Sequence, residues 1–322
     1  MRHVFVFDPK AFFNQQWKID NIVDIIGQFF RTQEKAAFSI QYSKYRRNAL
    51  GIICDEIEKS ESGEVIRIYA IGGEEILYDC VNGSAHFPGT QLAFVPYGET
   101  GNFLKIFNED KIEVFQDIPS LIKAETLPTD IIKCGYNYAL NSCFIGMNTS
   151  ALKSLKDLKL RLNERSYRFM SGIFSFFNNI FSAFDRQSAG RNFKITVDGA
   201  DYSGNYSLVH VANSPYIYGR KSGAAAVPDD GILNVVLIKA SNPINTLFSV
   251  SRYFNGKLPK NCVLVQGKII NIHSDNPMWI QLDNEYIQDS DVNLSVVHHA
   301  AQITAAEGFS YSLIKGGLIH GR

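Results

Sequence analysis

The chain has 322 residues, 45% of them hydrophobic, and its 32 basic and 32 acidic side chains leave no net charge. That length fits two ordinary domains, and the apolar content excludes a disordered chain. The charge balance argues against nucleic-acid binding, which calls for a basic excess.

In chain order, residues 4–7 form a short apolar run that stops at Asp8-Pro9. Ile19, Ile22, Val23, Ile26, Phe29 and Phe30 then recur at helical spacing. A strand at 38–42, a helix through Leu50, Ile53 and Ile57, and a strand at 65–70 broken by Gly72-Gly73 follow. A helix starting at Glu74 stops near Asn82-Gly83, and a strand at 92–95 closes at Pro96-Tyr97-Gly98. Such alternation predicts a Rossmann-like α/β domain over 1–128, built on a parallel sheet. Beyond it strands dominate, at 130–134, 138–144, 193–197, 207–211, 233–238, 263–266, 269–273, 278–282 and 292–297. These predict an antiparallel β-sandwich over 129–297 with a helical insertion near 150–190. Residues 298–322 either return to the first domain or fray.

Five cysteines without a CxxC pair point to a reducing compartment. Seven histidines without HxxxH or HExxH spacing argue against structural zinc. His298 and His299, as strand neighbours, are expected to face opposite sides. The first eight residues are too short for a signal peptide, and no apolar run is long enough to cross a bilayer. The chain therefore reads as cytoplasmic, meeting any lipid at the inner membrane surface. Met170, Ile173, Phe174, Phe177, Ile180, Phe181 and Phe184 fall at helical spacing, a stripe that suits packing on the sandwich or a membrane surface.

Three segments carry candidate chemistry. Ala70-Ile71-Gly72-Gly73-Glu74-Glu75-Ile76 is a strand-to-helix glycine turn, which brings backbone amides and a helix N-terminus close to an anion. Val95-Pro96-Tyr97-Gly98-Glu99-Thr100-Gly101-Asn102-Phe103 is a second glycine turn. Gln281-Leu282-Asp283-Asn284-Glu285 holds a carboxylate pair at a turn, with Asn284 expected to take the positive φ. Each has a plainer reading in isolation: a tight turn, a loop, a hairpin.

In order and spacing these segments resemble the diacylglycerol kinase, sphingosine kinase and bacterial lipid kinase family. Its pattern runs GGDGT, then PxGTGNDF, then DGE. NAD kinases share the first turn, but the second turn and the C-terminal pair fit lipid kinases better. The resemblance covers nearly the whole chain and implies phosphoryl transfer from magnesium-ATP to a lipid hydroxyl such as that of diacylglycerol. It implies catalytic roles for Asp283, Glu285 and Glu74, and nucleotide contacts from Gly72, Gly73, Ser43, Arg46, Gly98, Thr100 and Asn102. It also implies magnesium near Asp230, in Asp229-Asp230-Gly231. Two registers of the second loop stay open. One sets Glu99 on the family's threonine; the other reads Thr100-Gly101-Asn102 as TGN.

The chain also departs from the pattern. Glu74, Glu75 and Ile76 stand where the family has aspartate, glycine and threonine, and Asp8-Pro9 with Phe12 replaces an Asn-Pro turn with a following glycine. A carboxylate about 4 Å from a phosphate costs on the order of 4 kcal/mol at an effective dielectric of about 20, unless a metal lies between them. The same glutamates would stabilise a helix's first turn without any ligand. A relative that binds a lipid or a protein partner without transferring phosphate is therefore the second reading, and a homodimer stays open.

Overall fold

The computed structural model describes residues 1–32, 37–98, 103–107, 112–146, 190–217, 220–306, 308 and 311. The predicted insertion with its phenylalanine stripe, the C-terminal tail, Thr100 and Asn102 lie outside the described residues.

The first part is built on four parallel strands. They are β1 (Arg2–Phe7), β2 (Ala37–Tyr42), β3 (Ile66–Gly72) and β4 (Thr90–Pro96), in the order β2-β1-β3-β4. Every residue of β3 is buried, as expected where helices cover both faces of a parallel sheet. Helix α1 (Gln16–Arg31) buries Ile19, Ile22, Ile26 and Phe30, the face that its spacing predicts. Helix α2 (Asn48–Glu58) buries Ala49 and Ile53, and α3 (Glu74–Ser84) is buried from Ile76 onward. Helix α4 (Ile118–Lys123), capped by Asp117, leads out of this part.

The second part is antiparallel. Its strands are β5 (Thr126–Cys134), β6 (Asn137–Ala139), β7 (Ser142–Gly146), β8 (Arg191–Val197), β9 (Ala200–Asp201), β10 (Gly204–Ala212), β11 (Tyr216–Ile217), β12 (Arg220–Lys221), β13 (Leu233–Lys239), β14 (Cys262–Gly267), β15 (Ile269–Leu282) and β16 (Glu285–Thr304). Strands β10 and β15 each change partner along their length, pairing β8 at one end and β7 at the other. The sheet thereby folds back over a core that includes Ile195, Val209, Val211, Ile270, Ile280 and Leu282. Helix α5 (Pro243–Phe254) packs Val250 and Tyr253 against Leu208, Val236 and Ile238. Strand β16 ties the parts together. It pairs β15 and β5 antiparallel, then meets β4 in parallel where Ile303 faces Leu92.

Three expectations change here. The strand predicted over 138–144 is two strands, separated at Leu140 and Asn141, whose backbone amides donate to Asp283. The two strands predicted at 269–273 and 278–282 are the single β15, irregular between His273 and Met278. Helix α5 was not anticipated. It starts on Asn242, whose side chain accepts from the Asn245 amide, with Pro243 in its first turn.

Candidate active site

Parallel strands end their ladders together, so the loops after β1, β3 and β4 meet at one edge. The Asp8 amide donates to the Ile71 carbonyl at 2.9 Å, and the Tyr97 amide to the Gly72 carbonyl at 2.8 Å. This crowding explains the glycines. Gly72 has φ +153°, and a Cβ there would lie 2.9 Å from the Asp8 Cβ. Gly98 has φ +79°, and a Cβ would lie 3.1 Å from the Ala11 carbonyl oxygen. The loop after β1 is turned inward by Asp8, which accepts from the Lys10 amide at 3.1 Å. It buries Phe12, which stacks on Tyr97 with ring centroids 4.6 Å apart. Gly73 is the N-cap of α3 and supplies no side-chain cap, and Glu74 and Glu75 form the first turn of the helix. Ile76, in place of the family's threonine, is buried and lies close to Gly72. Ser43 donates its amide to the Phe7 carbonyl at 2.8 Å and its hydroxyl to the Tyr45 carbonyl at 3.3 Å.

The carboxylate pair comes in from the antiparallel part. Asp283, not Asn284, takes the left-handed position of the turn, with φ 48°. The reason is its side chain. Oδ1 accepts from the Asn141 amide at 2.8 Å and the Ser142 amide at 2.9 Å, while Oδ2 accepts from the Leu140 amide at 2.6 Å. The amide cradle is itself held: Asn213 donates from Nδ2 to the carbonyls of Asp130 at 2.7 Å and Leu140 at 2.8 Å. Its amide donates to the Asn141 carbonyl at 2.8 Å. Burial pushes Asp283 up to about 7; the three amides pull it down, and the charge of Glu74 adds to the rise. Glu74 and Asp283, far apart in sequence, thus sense one another across the junction of the two parts.

Glu285, buried at the start of β16, pairs with Arg46, whose side chain is exposed. Beside this pair Arg47 donates to Asp79 at 3.1 Å and lies over the Tyr78 ring, 4.9 Å from its centroid. Burial raises Asp79 to about 6, with Arg47 opposing the rise and Glu285 and Glu75 adding to it. The sequence reading named Arg46 and Glu285 but missed Tyr78 and Asp79, which carry no motif. A cavity of about 20 Å3 lies between Asp283, Gln281, Asn141, Ser142, Phe144 and Tyr216. That is room for a group the size of one water or hydroxyl.

Asp230 stands apart. It is exposed, and its Oδ1 accepts from the Ile232 amide at 3.0 Å. Among the described residues, the group with ligand atoms close enough to share a cation is instead Asp130, His298 and His299. The expectation that the two histidines face opposite ways is overturned. His299 has φ 52° in an irregular stretch of β16, which breaks the strand alternation and stacks the two rings at 3.6 Å. The Asp130 carboxylate is fully buried and already engaged. Oδ1 meets His298 Nδ1 at 2.7 Å and accepts from the His299 amide at 2.8 Å, and Oδ2 accepts from the Gly231 amide at 2.7 Å. Asp130 thereby fixes the turn that contains Asp230. Among the described residues no helix is long and apolar enough to cross a membrane.

Known proteins resemble this chain along most of its length. Residues 157–305 match the family model described as the YegS C-terminal NAD kinase beta sandwich-like domain. Proteins named "Putative lipid kinase" from Staphylococcus aureus strains JH9 and Newman are each 22% identical over 300 residues, covering 91% of this chain and 95% of theirs. Two crystal structures from Bacillus anthracis strain Sterne, both described as diacylglycerol kinases (one of them as putative), superpose with TM-scores of 0.71 and 0.66. Their identities are 20% and 19%, and each superposition covers 96% of this chain and 98% of the other. At that identity the likeness is one of fold. Residues 157–305 are thus similar to the YegS C-terminal domain, and nearly the whole length of the chain aligns with proteins bearing the lipid kinase name.

Proposed function

We propose that the protein is a lipid kinase that transfers a phosphoryl group from magnesium-ATP to a lipid hydroxyl, diacylglycerol being the first candidate. The observation that carries this reading is the setting of Asp283: a carboxylate raised to about 7, beside a hydroxyl-sized cavity, at the edge where the glycine turns converge. A base poised near neutrality suits deprotonation of an alcohol. Oδ1 already accepts two amides while Oδ2 accepts one, so Oδ2 keeps the lone pair that would receive the proton.

The residues on the α/β side suit a polyphosphate only together with a metal. The N-terminus of α3 and the Arg46 guanidinium attract an anion, whereas Glu74 and Glu75 repel a bare one. Gly72, Gly73 and Gly98 would let a phosphate approach the backbone, and Glu74 would help to hold magnesium. Bound magnesium-ATP would supply the phosphoryl group and neutralise these carboxylates. Glu285 would keep Arg46 over the cleft, and Asp79 would do the same for Arg47. Asp230 would bind a second, structural magnesium at its exposed turn.

Calorimetric titration with ATP, with and without magnesium, followed by a phosphorylation assay on diacylglycerol, tests the reading. Magnesium-dependent micromolar binding and labelled lipid product would support it. No heat at millimolar ATP would end it, and leave binding of a lipid or protein partner as the function to pursue.

A further inference from the structure

The chain is neutral overall, yet from Gly231 to Ser274 it contains no aspartate or glutamate and five lysines or arginines. The same stretch exposes large apolar side chains: Ile244 is 59% exposed, Phe248 70%, Leu258 37% and Leu264 43%. Ile244 and Phe248 lie one helical turn apart on α5, on the side away from Val250 and Tyr253, which enter the core. Leu264 sits on β14, an end strand of the sheet, opposite Val236 and so on the face that α5 covers. Phe248, Arg252 and Lys260 line one open groove of about 480 Å3, together with Asn245, Ser249 and Asn261. Among the described residues, no carboxylate lines it.

We propose that α5 and the 255–261 loop form a docking face for an anionic phospholipid bilayer, with the groove receiving a lipid headgroup. The partner follows from the chemistry. Exposed apolar side chains one turn apart can enter the acyl boundary, and cations without neighbouring carboxylates seek anionic headgroups. The placement matters too. Phe254 at the end of α5 stacks on Phe144 with centroids 5.9 Å apart, and Phe144 lines the cavity at Asp283. The Phe254–Phe144 stack therefore connects α5 to the cavity beside the proposed base. The inference rests on the lipid-kinase reading for this benefit, but the binding itself needs no nucleotide.

The test is co-sedimentation of the full chain with vesicles, in the absence of ATP and magnesium. Vesicles of phosphatidylcholine mixed with phosphatidylglycerol are expected to pull the protein down, phosphatidylcholine alone much less, and added salt is expected to weaken the binding. Each cation near an anionic surface contributes about fivefold in affinity. Lys257→Glu with Lys260→Glu is therefore expected to weaken binding at least about thirtyfold. Phe248→Ser is expected to weaken it on every vesicle, and Lys133→Glu on β5 to leave it unchanged. Unaltered thermal melting of the variants separates lost docking from lost folding. The proposal is overturned if the mixed vesicles bind no better than neutral ones, or if well-folded α5 and loop variants bind like the parent. Failure of the kinase reading would show in the ATP titration and leave these results untouched.

Discussion

Arg46 and Glu285 form an ion pair between the loop that leads into α2 and the first residue of β16, joining the α/β part to the antiparallel part at the proposed site. Glu285 keeps only 8% of its side-chain surface exposed, whereas Arg46 keeps 60%. The asymmetry sets the expected energetics. Solvent screens the guanidinium, so the pair contributes about 1 kcal/mol or less to stability. Arg46→Ala leaves a largely buried carboxylate, and Glu285→Gln removes that burden. A double-mutant cycle on thermal unfolding is expected to give a coupling of about 1 kcal/mol, with the double variant more stable than Arg46→Ala alone. Additive effects would mean that the pair does not hold the two parts together in solution.

Asp283→Asn is expected to lower kcat about a hundredfold to ten-thousandfold, the usual range for removing a general base. Its pH dependence gives the sharper test. The base works ionised, so activity of the parent enzyme is expected to rise with pH and level off above about 7, the value to which burial brings Asp283. A pH–kcat profile flat from 5 to 9 would remove Asp283 from the chemistry and leave its three backbone hydrogen bonds as its purpose.

Glu75 offers a test on the nucleotide side. It lies in the first turn of α3, where its charge favours the helix by about 0.3–1 kcal/mol and opposes a phosphate. Glu75→Gln is expected to tighten ATP binding without magnesium by about tenfold or more, and magnesium-ATP binding by less. The melting temperature should fall slightly. Restoring the family's threonine at position 76 as well would confuse the result, because Ile76 is buried and its loss would cost core packing. Equal ATP affinity of parent and variant, calorimetrically measured, would mean that phosphate does not approach α3.

Much of the fold was legible because hydrophobic period and glycine breaks agree locally. The buried face of α1 and the strand-to-helix turn at Gly72 follow from spacing alone. The site was legible only where it carries motif residues. Asp283 could be named, but not its partners, since backbone amides at Leu140, Asn141 and Ser142 have no sequence signature. The exchange of positive φ from Asn284 to Asp283 escaped for the same reason: local preference favours asparagine, and the distant cradle favours aspartate. His298 and His299 were misplaced because strand alternation assumes a regular strand, and β16 is irregular there.

His210 supplies the last prediction. It is fully buried on β10, its Nδ1 lies 2.5 Å from the Tyr253 hydroxyl, and burial lowers it to about 3. In the unfolded chain a histidine titrates near 6.5. Below that pH the unfolded chain takes up a proton that the folded chain refuses, so stability is lost as pH falls from about 6.5 toward about 3. Asp283 and Asp79 act in the opposite sense. Raised to about 7 and about 6, they hold protons that the unfolded chain releases above about 4, so their contribution weakens as pH rises through that window. Net acid sensitivity of the parent is therefore modest above pH 5, and His210 is the group to isolate. His210→Gln keeps a polar partner for Tyr253 and cannot protonate. Its stability relative to the parent is expected to improve by roughly 2 kcal/mol between pH 7 and pH 5, about 1.4 kcal/mol for each pH unit below 6.5. Urea unfolding at the two pH values measures this. A difference that does not change with pH would mean that His210 is protonated inside the folded protein.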